Sequence, residues 1–289
     1  MPPSLRQLIK RTIILAYRED TSQLENALRA TGLNPTTQRR TYTPIEQTYS
    51  RTIRCLLNHT DAWRAAAAAT DGYTLIVEAD FVPCRKFSEL PAPLDPALHG
   101  PLAWAFLYAG GPRIIRVLPS GYLWGHAACP VALLVPPQLA THLVNFSDEL
   151  IRTTPDLTAY SLWDTIFQWH MMGHNAKCFM PYRHYGEHGG LPNPEHKAAG
   201  TGVVSDITRR LNITILNNHH AECLQGSLAF LPAYAHGSHW IYFRTRVLAK
   251  CIGLARVVTG RVVQSNQPMS FTERLHALWV ACRRLCSIP

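Results

Sequence analysis

Short apolar runs alternate with segments of helical periodicity along the first eighty residues. Thr12-Ile-Ile-Leu-Ala-Tyr17 is continuous enough for a strand buried on both faces. Ser22-Gln-Leu-Glu25 has capping-box form, Leu24, Ala27 and Leu28 follow at helical spacing, and Gly32 supplies a stop. Thr36 to Tyr42 predicts a second strand. Ile53, Leu56, Leu57, Thr60, Trp63 and Ala67 share one face of a helix that continues to about Thr70. Tyr73-Thr-Leu-Ile-Val77 predicts a third buried strand, ending in Glu78-Ala79-Asp80. Strand, helix, strand, helix, strand is the rhythm of an α/β sheet.

Further along, Leu102 to Ala109 and Val131 to Val135 predict strands, and Pro137 to Phe146 and Ser161 to Met172 predict helices. Pro181 to Gly200 reads as a loop rich in Gly, Pro, His and Tyr. After Gly200 the pattern turns helical and basic, which divides the chain into a domain over 1–200 and a basic, mainly helical region over 201–289.

Composition sharpens this division. With 47% hydrophobic and 16% charged residues there is ample apolar surface for a core and no case for disorder. The net charge of +9 is concentrated late: Gly200 to Pro289 holds ten Lys/Arg against three Asp/Glu. A nearly neutral body with a basic tail suits a catalytic or binding domain with an attachment region better than a nucleic-acid binder. RNP, helix-turn-helix and zinc-finger patterns are absent, so nucleic acid is not an expected partner. The eight cysteines form no CxxC pair, and reduced, mostly buried thiols in a cytoplasmic protein are expected. The apolar run near the start is too short for a signal-peptide core. Val117 to Ser147 lacks Asp, Glu, Lys and Arg, yet four prolines and two histidines exclude it as a spanning helix.

Candidate chemistry gathers at two polar strand ends, where ligands of open α/β sheets bind. Tyr17-Arg18-Glu19-Asp20 follows the first strand and Glu78-Ala79-Asp80 the third. Side chains alternate along a strand, so Glu78 and Asp80 point the same way. Two carboxylates with open positions suit Mg²⁺ or Mn²⁺ shared with substrate phosphates; the plain alternative is a carboxylate capping the next turn.

Thr52-Ile-Arg-Cys-Leu-Leu-Asn-His-Thr-Asp-Ala-Trp63, followed by Leu75-Ile-Val-Glu-Ala-Asp-Phe-Val-Pro83 and Phe87, resembles glycosyltransferase family 25, the lipooligosaccharide and collagen-type sugar transferases. Cys55, Leu57, His59 and Trp63 match that family's helix, with Asn58 in place of its Ser. Glu78 and Asp80 match its acidic motif, with Ala79 in place of the middle Asp. The resemblance implies a GT-A type, Rossmann-like, mostly parallel sheet with flanking helices. It also implies inverting transfer of a sugar from a nucleotide-diphosphate donor to a glycan or lipid-linked acceptor. On that reading Tyr17, Arg18, His59, Glu78 and Asp80 bind the donor, and Glu78 and Asp80 hold Mn²⁺ or Mg²⁺. Ala79 leaves open whether cationic side chains replace part of the metal's work. It also leaves open a degenerate fold that binds a nucleotide sugar or glycan without turnover.

An inverting transfer needs a base. Asp164, in Ser161-Leu-Trp-Asp164, is one candidate, its alternative being a helix-start device with Ser161 as N-cap. Glu187 and His188, in Tyr185-Gly-Glu-His-Gly-Gly190, are the others, as a base and a further metal ligand; the alternative is a surface turn. In the tail, Trp240, Val247, Cys251, Leu254 and Val258 line one helical face, and Arg274 to Arg284 repeats the basic theme. Such a helix either lies on an anionic membrane, placing the protein peripherally on the inner face, or packs on the catalytic domain.

Overall fold

The computed structural model describes residues 2–191, 227–263 and 269–286; the expected boundary at residue 200 lies outside them. The β-branched and leucine runs form the centre of an eight-stranded sheet. Strand β1 (Ile9–Ala16) is flanked in parallel by β2 (Pro35–Arg39) and β3 (Tyr73–Glu78). The sheet continues through β8 (Ala132–Val135), β5 (Trp104–Phe106), β9 (Cys178–Met180), β7 (Leu123–Ala128) and β6 (Gly110–Val117). Of these neighbours, β5 and β9 run parallel and the rest pair antiparallel. A second, two-stranded sheet pairs β4 (Phe81–Pro83) antiparallel with β10 (Gly186–His188).

Helices cover both faces, as the α/β reading requires. Along β3, Ile76 packs on one side while Leu75 and Val77 pack on the other, the period-two alternation of a strand buried twice over. The first side is closed by α3 (Arg51–Ala67), α5 (Pro137–Thr153) and α6 (Trp163–Gly173), whose Trp63, Leu143 and Phe167 are fully buried. The second side takes Leu5 from α1 (Leu5–Leu8) and Leu24 and Leu28 from α2 (Ser22–Ala30). Each such side chain contributes roughly 1.5–3 kcal/mol by leaving water. A short α4 (Pro96–His99) precedes β5.

Several boundaries differ from the sequence pattern for local reasons. The strand expected over 102–109 shortens to β5. The β6–β7 hairpin breaks the alternation rule because its register shifts twice, and Gly125 lies so close to the Arg113 backbone that a Cβ there would collide with it. Thr21, not Ser22, is the N-cap of α2, while Glu25 accepts hydrogen bonds from the Thr21 and Thr37 hydroxyls. The loop expected from Pro181 contributes β10.

Two helices follow: α7 (His239–Val258) and α8 (Phe271–Cys286). Val262 and the α8 residues Ala277, Val280 and Ala281 join the same buried cluster as Ile114 and Leu123. The face of α7 turned inward is small or polar, with Thr245, Arg246, Ala249 and Gly253 buried. Its apolar face is turned outward: Trp240 is 68%, Phe243 58% and Val258 78% exposed, with Val247 and Leu254 between them. On α8, Phe271, Leu275 and Trp279 are likewise exposed at one-turn intervals. Among the described residues no helix is long and apolar enough to cross a membrane.

Candidate active site

The carboxyl ends of β1 and β3 lie side by side because their register pairs Leu15 with Glu78. The backbone N–H of Ala79 donates to the Leu15 carbonyl at 2.8 Å, which carries the pairing past the strand end. Tyr17 and Arg18 therefore emerge beside Glu78 and Asp80. The turn at 17–19 is held by the Arg39 guanidinium, which donates to the carbonyls of Tyr17 (3.2 Å) and Glu19 (2.8 Å).

Helix α3 brings the next layer. Ser50 caps it, its hydroxyl accepting from the Ile53 N–H at 3.2 Å. Cys55 and His59, one turn apart, face β3: His59 Nε2 lies 3.0 Å from Glu78 Oε1, and the Cys55 thiol donates to the same oxygen at 3.6 Å. Asn58 ties the helix to the sheet, donating to the Ala16 carbonyl at 3.3 Å and accepting from Gln38 at 3.0 Å. His59 is completely buried against Trp63 and Trp163, at 5.6 and 5.2 Å between ring centroids. Packing and a carboxylate contact thus coincide in one imidazole.

The second carboxylate is held from the opposite side. The N–H of Gly189 donates to the Asp80 carbonyl at 2.7 Å, continuing the β4–β10 ladder, and His188 Nε2 reaches Asp80 Oδ2 at 2.8 Å. Gly190 lies directly against Asp80: a Cβ on it would overlap the carboxylate. Ligand atoms of Glu78, Asp80 and His188 all fall within 4.8 Å of one another, and those of Cys55, His59 and Glu78 do the same. Glu78 is common to both triads.

These residues open onto a cavity of about 790 Å³. Arg18, Arg51 and Arg54 line it together with Tyr17, Tyr42 and Tyr160. The Arg18 guanidinium sits 4.8 Å from the Tyr17 ring centre, and Tyr17 and Tyr42 meet edge-on at 5.7 Å. Asp164 enters from α6, which is fixed to α3 by the Trp163 indole donating to the Thr52 carbonyl at 2.8 Å. Burial, aided by the Glu78 charge, pushes the Asp164 carboxyl up to about 6. Leu162 rather than Ser161 occupies the cap position of α6, and no side chain caps the helix there. Ser161 is therefore not the cap, whereas Asp164 does stand in the first turn of α6, where the Thr165 backbone N–H donates to its carboxylate.

Tyr17, Arg18, His59, Glu78, Asp80, Asp164 and His188 all line this cavity. Glu187 does not. Its side chain, fully buried, accepts a hydrogen bond from the Tyr234 hydroxyl and pairs with Arg246 Nη1 of α7 at 3.4 Å. Neighbours on a strand face opposite ways, so placing His188 on the cavity sends Glu187 to the far side. Burial raises its carboxyl despite the pull of Arg246. It is a structural ion pair, not a base.

Sequence reasoning missed Tyr42, Arg51, Arg54 and the packing role of Gly189-Gly190. Only the glycine pair carried a signal: two small residues immediately after a candidate ligand mark a close approach.

No protein-family model matches this sequence, and no curated protein matches it. Among solved structures the chain is similar to the crystal structure of a glycosyltransferase involved in the glycosylation of the major capsid of PBCV-1. The TM-score is 0.39 at 12% identity, covering 60% of this chain and 83% of that one. A likeness this distant carries no residue's role across.

Proposed function

We propose that the chain is a glycosyltransferase that moves a sugar from a nucleotide-diphosphate donor to a glycan or lipid-linked acceptor, with inversion. The observation that carries the reading is the joint protrusion of Glu78 and Asp80 into one cavity of about 790 Å³ whose lining also holds three arginines. A departing diphosphate needs its charge neutralised. Arg18, Arg51 and Arg54 supply cationic groups, and the carboxylates supply a seat for a dication.

Glu78, Asp80 and His188 would hold that ion, and bound there it supplies electrostatic stabilisation of the leaving phosphates. The donor set fits. Two carboxylates with one imidazole suit Mn²⁺ better than Mg²⁺, which prefers oxygen alone. His59, on the other flank of Glu78, orients that carboxylate. Asp164 is the base of the reading. Its carboxyl, pushed up to about 6, is ionised at neutral pH yet retains enough proton affinity to accept the acceptor hydroxyl's proton.

The outward apolar face of α7 supports a peripheral attachment to an anionic membrane, which suits a lipid-linked acceptor. Trp240 and Phe243 would enter the interface with exposed Arg244 and Arg261 beside the headgroups. Such a site implies the inner face of a cytoplasmic membrane as the place of work.

The test is incubation of the purified protein with a panel of nucleotide sugars and Mn²⁺, following donor hydrolysis. One donor should be consumed, and Asp80→Ala should abolish its consumption. Full activity in Asp80→Ala refutes the reading. Donor binding without turnover in the wild type would leave a nucleotide-sugar binding protein instead.

A further inference from the structure

Away from the cavity, three histidines meet where α5 packs on α6. His170 and His174 are one helical turn apart at the end of α6, and their Nε2 atoms lie 3.3 Å from one another. His142 of α5 stacks on His174 with ring centroids 4.5 Å apart, and His174 is 4.9 Å from His170 by the same measure. Phe146, one turn after His142, packs against the His170 ring at 5.3 Å and limits its orientation. Glu149, two turns after His142, is close enough to act electrostatically on His170.

The 3.3 Å separation is informative. It lies within reach of an ordinary N–H···N hydrogen bond between the two rings, and it is also the spacing that two imidazole ligands take on one ion. Zinc–imidazole bonds are about 2.0–2.1 Å, and two of them at a tetrahedral angle hold their nitrogens about 3.3–3.4 Å apart. Histidines at i and i+4 on a helix are an established way to supply two such ligands. The pair on α6 therefore has the spacing of one edge of a four-coordinate site, and His142, whose ring stacks on His174, would have to turn its ring inward to become the third ligand.

We propose that His142, His170 and His174 form a metal site outside the cavity that takes a borderline dication such as Zn²⁺. Glu149 or water completes its coordination. Imidazole nitrogens favour Zn²⁺ over the hard dications suited to the carboxylates of the cavity. The bound ion ties the end of α6 to α5, and so steadies the helix whose other end presents Asp164.

Calorimetric titration of Zn²⁺ into the full-length, chelator-treated protein tests this independently of transfer activity. The wild type should show a Zn²⁺-binding event that survives Glu78→Gln, since that substitution reports on the cavity. His170→Ala and His174→Ala should weaken the event about tenfold or more. His174 is exposed, so His174→Asn, with its metal-free melting temperature alongside, separates a lost ligand from a damaged fold. Replacing Zn²⁺ by Co²⁺ should give the visible absorption of a four-coordinate site in the wild type and not in His174→Asn. The proposal is overturned if the wild type binds no Zn²⁺, if the histidine variants bind it as the wild type does, or if Glu78→Gln alone abolishes all binding.

Discussion

Asp164→Asn should make the protein more stable and the transferase inactive. The Asp164 carboxyl is pushed from 3.8 to about 6 by burial, with Glu78 adding repulsion. A carboxyl raised on folding binds its proton more tightly in the folded chain. Its favourable contribution is therefore complete below the unfolded value and is lost as pH rises through about 6. Above that, the ionised group is a liability. The gap between 3.8 and about 6, at about 1.4 kcal/mol per tenfold change, sets an upper bound of about 3 kcal/mol. Water entering the cavity reduces this, leaving an expected gain of about 1–3 kcal/mol for the neutral amide, or roughly 2–10 °C in melting temperature. Thermal unfolding of wild type and Asp164→Asn at about pH 7.5 and about pH 4 measures it, donor turnover being followed in parallel. The gain should be present at the higher pH and largely gone at the lower. Equal stability at both, or a loss in the variant at pH 7.5, would refute the assignment of Asp164 as a strained ionised base.

Three other variants follow from particular contacts. Gly190→Ala should lower Mn²⁺ affinity and turnover by about tenfold or more, because the new methyl displaces the Asp80 carboxylate; unchanged Mn²⁺ titration would contradict the site geometry. Arg246→Ala should cost about 3–5 kcal/mol in denaturant unfolding by stranding Glu187 in the interior, and a loss below about 1 kcal/mol would show that pair to be solvated. Trp240→Ala combined with Phe243→Ala should reduce flotation with anionic vesicles, and the wild-type binding should weaken as salt rises; equal partitioning by the variant removes α7 as the attachment.

Strands β1 and β3 were readable because each is a run of apolar residues buried on both faces, and α3 because its apolar stripe is regular; β2, polar and partly exposed, takes its place from pairing with β1. The hairpin of β6 and β7 was not, since glycine, proline and register shifts scatter its inward positions. At the site, Glu78 and Asp80 announced themselves by their place at a strand end. Glu187 and His188 looked equivalent in a glycine-rich stretch, and only pairing with β4 decides which of them faces the cavity. Likewise the apolar stripe of α7 was visible, but a stripe says nothing of which way it turns. The Arg246–Glu187 pair settles that, turning the polar side inward.

The order of the strands constrains how the chain assembles during synthesis. β9, at residues 178–180, is wedged between β5 and β7, which precede it by some fifty residues or more. An emerging polypeptide that has only reached α5 holds both neighbours with an open gap between them. At roughly 5–20 residues per second, that gap stays unfilled for seconds on the ribosome. Until β9 arrives, the unpaired backbone N–H and C=O groups along the facing edges of β5 and β7 are open to mispairing, so this interval is the one in which the nascent chain is most exposed to aggregation.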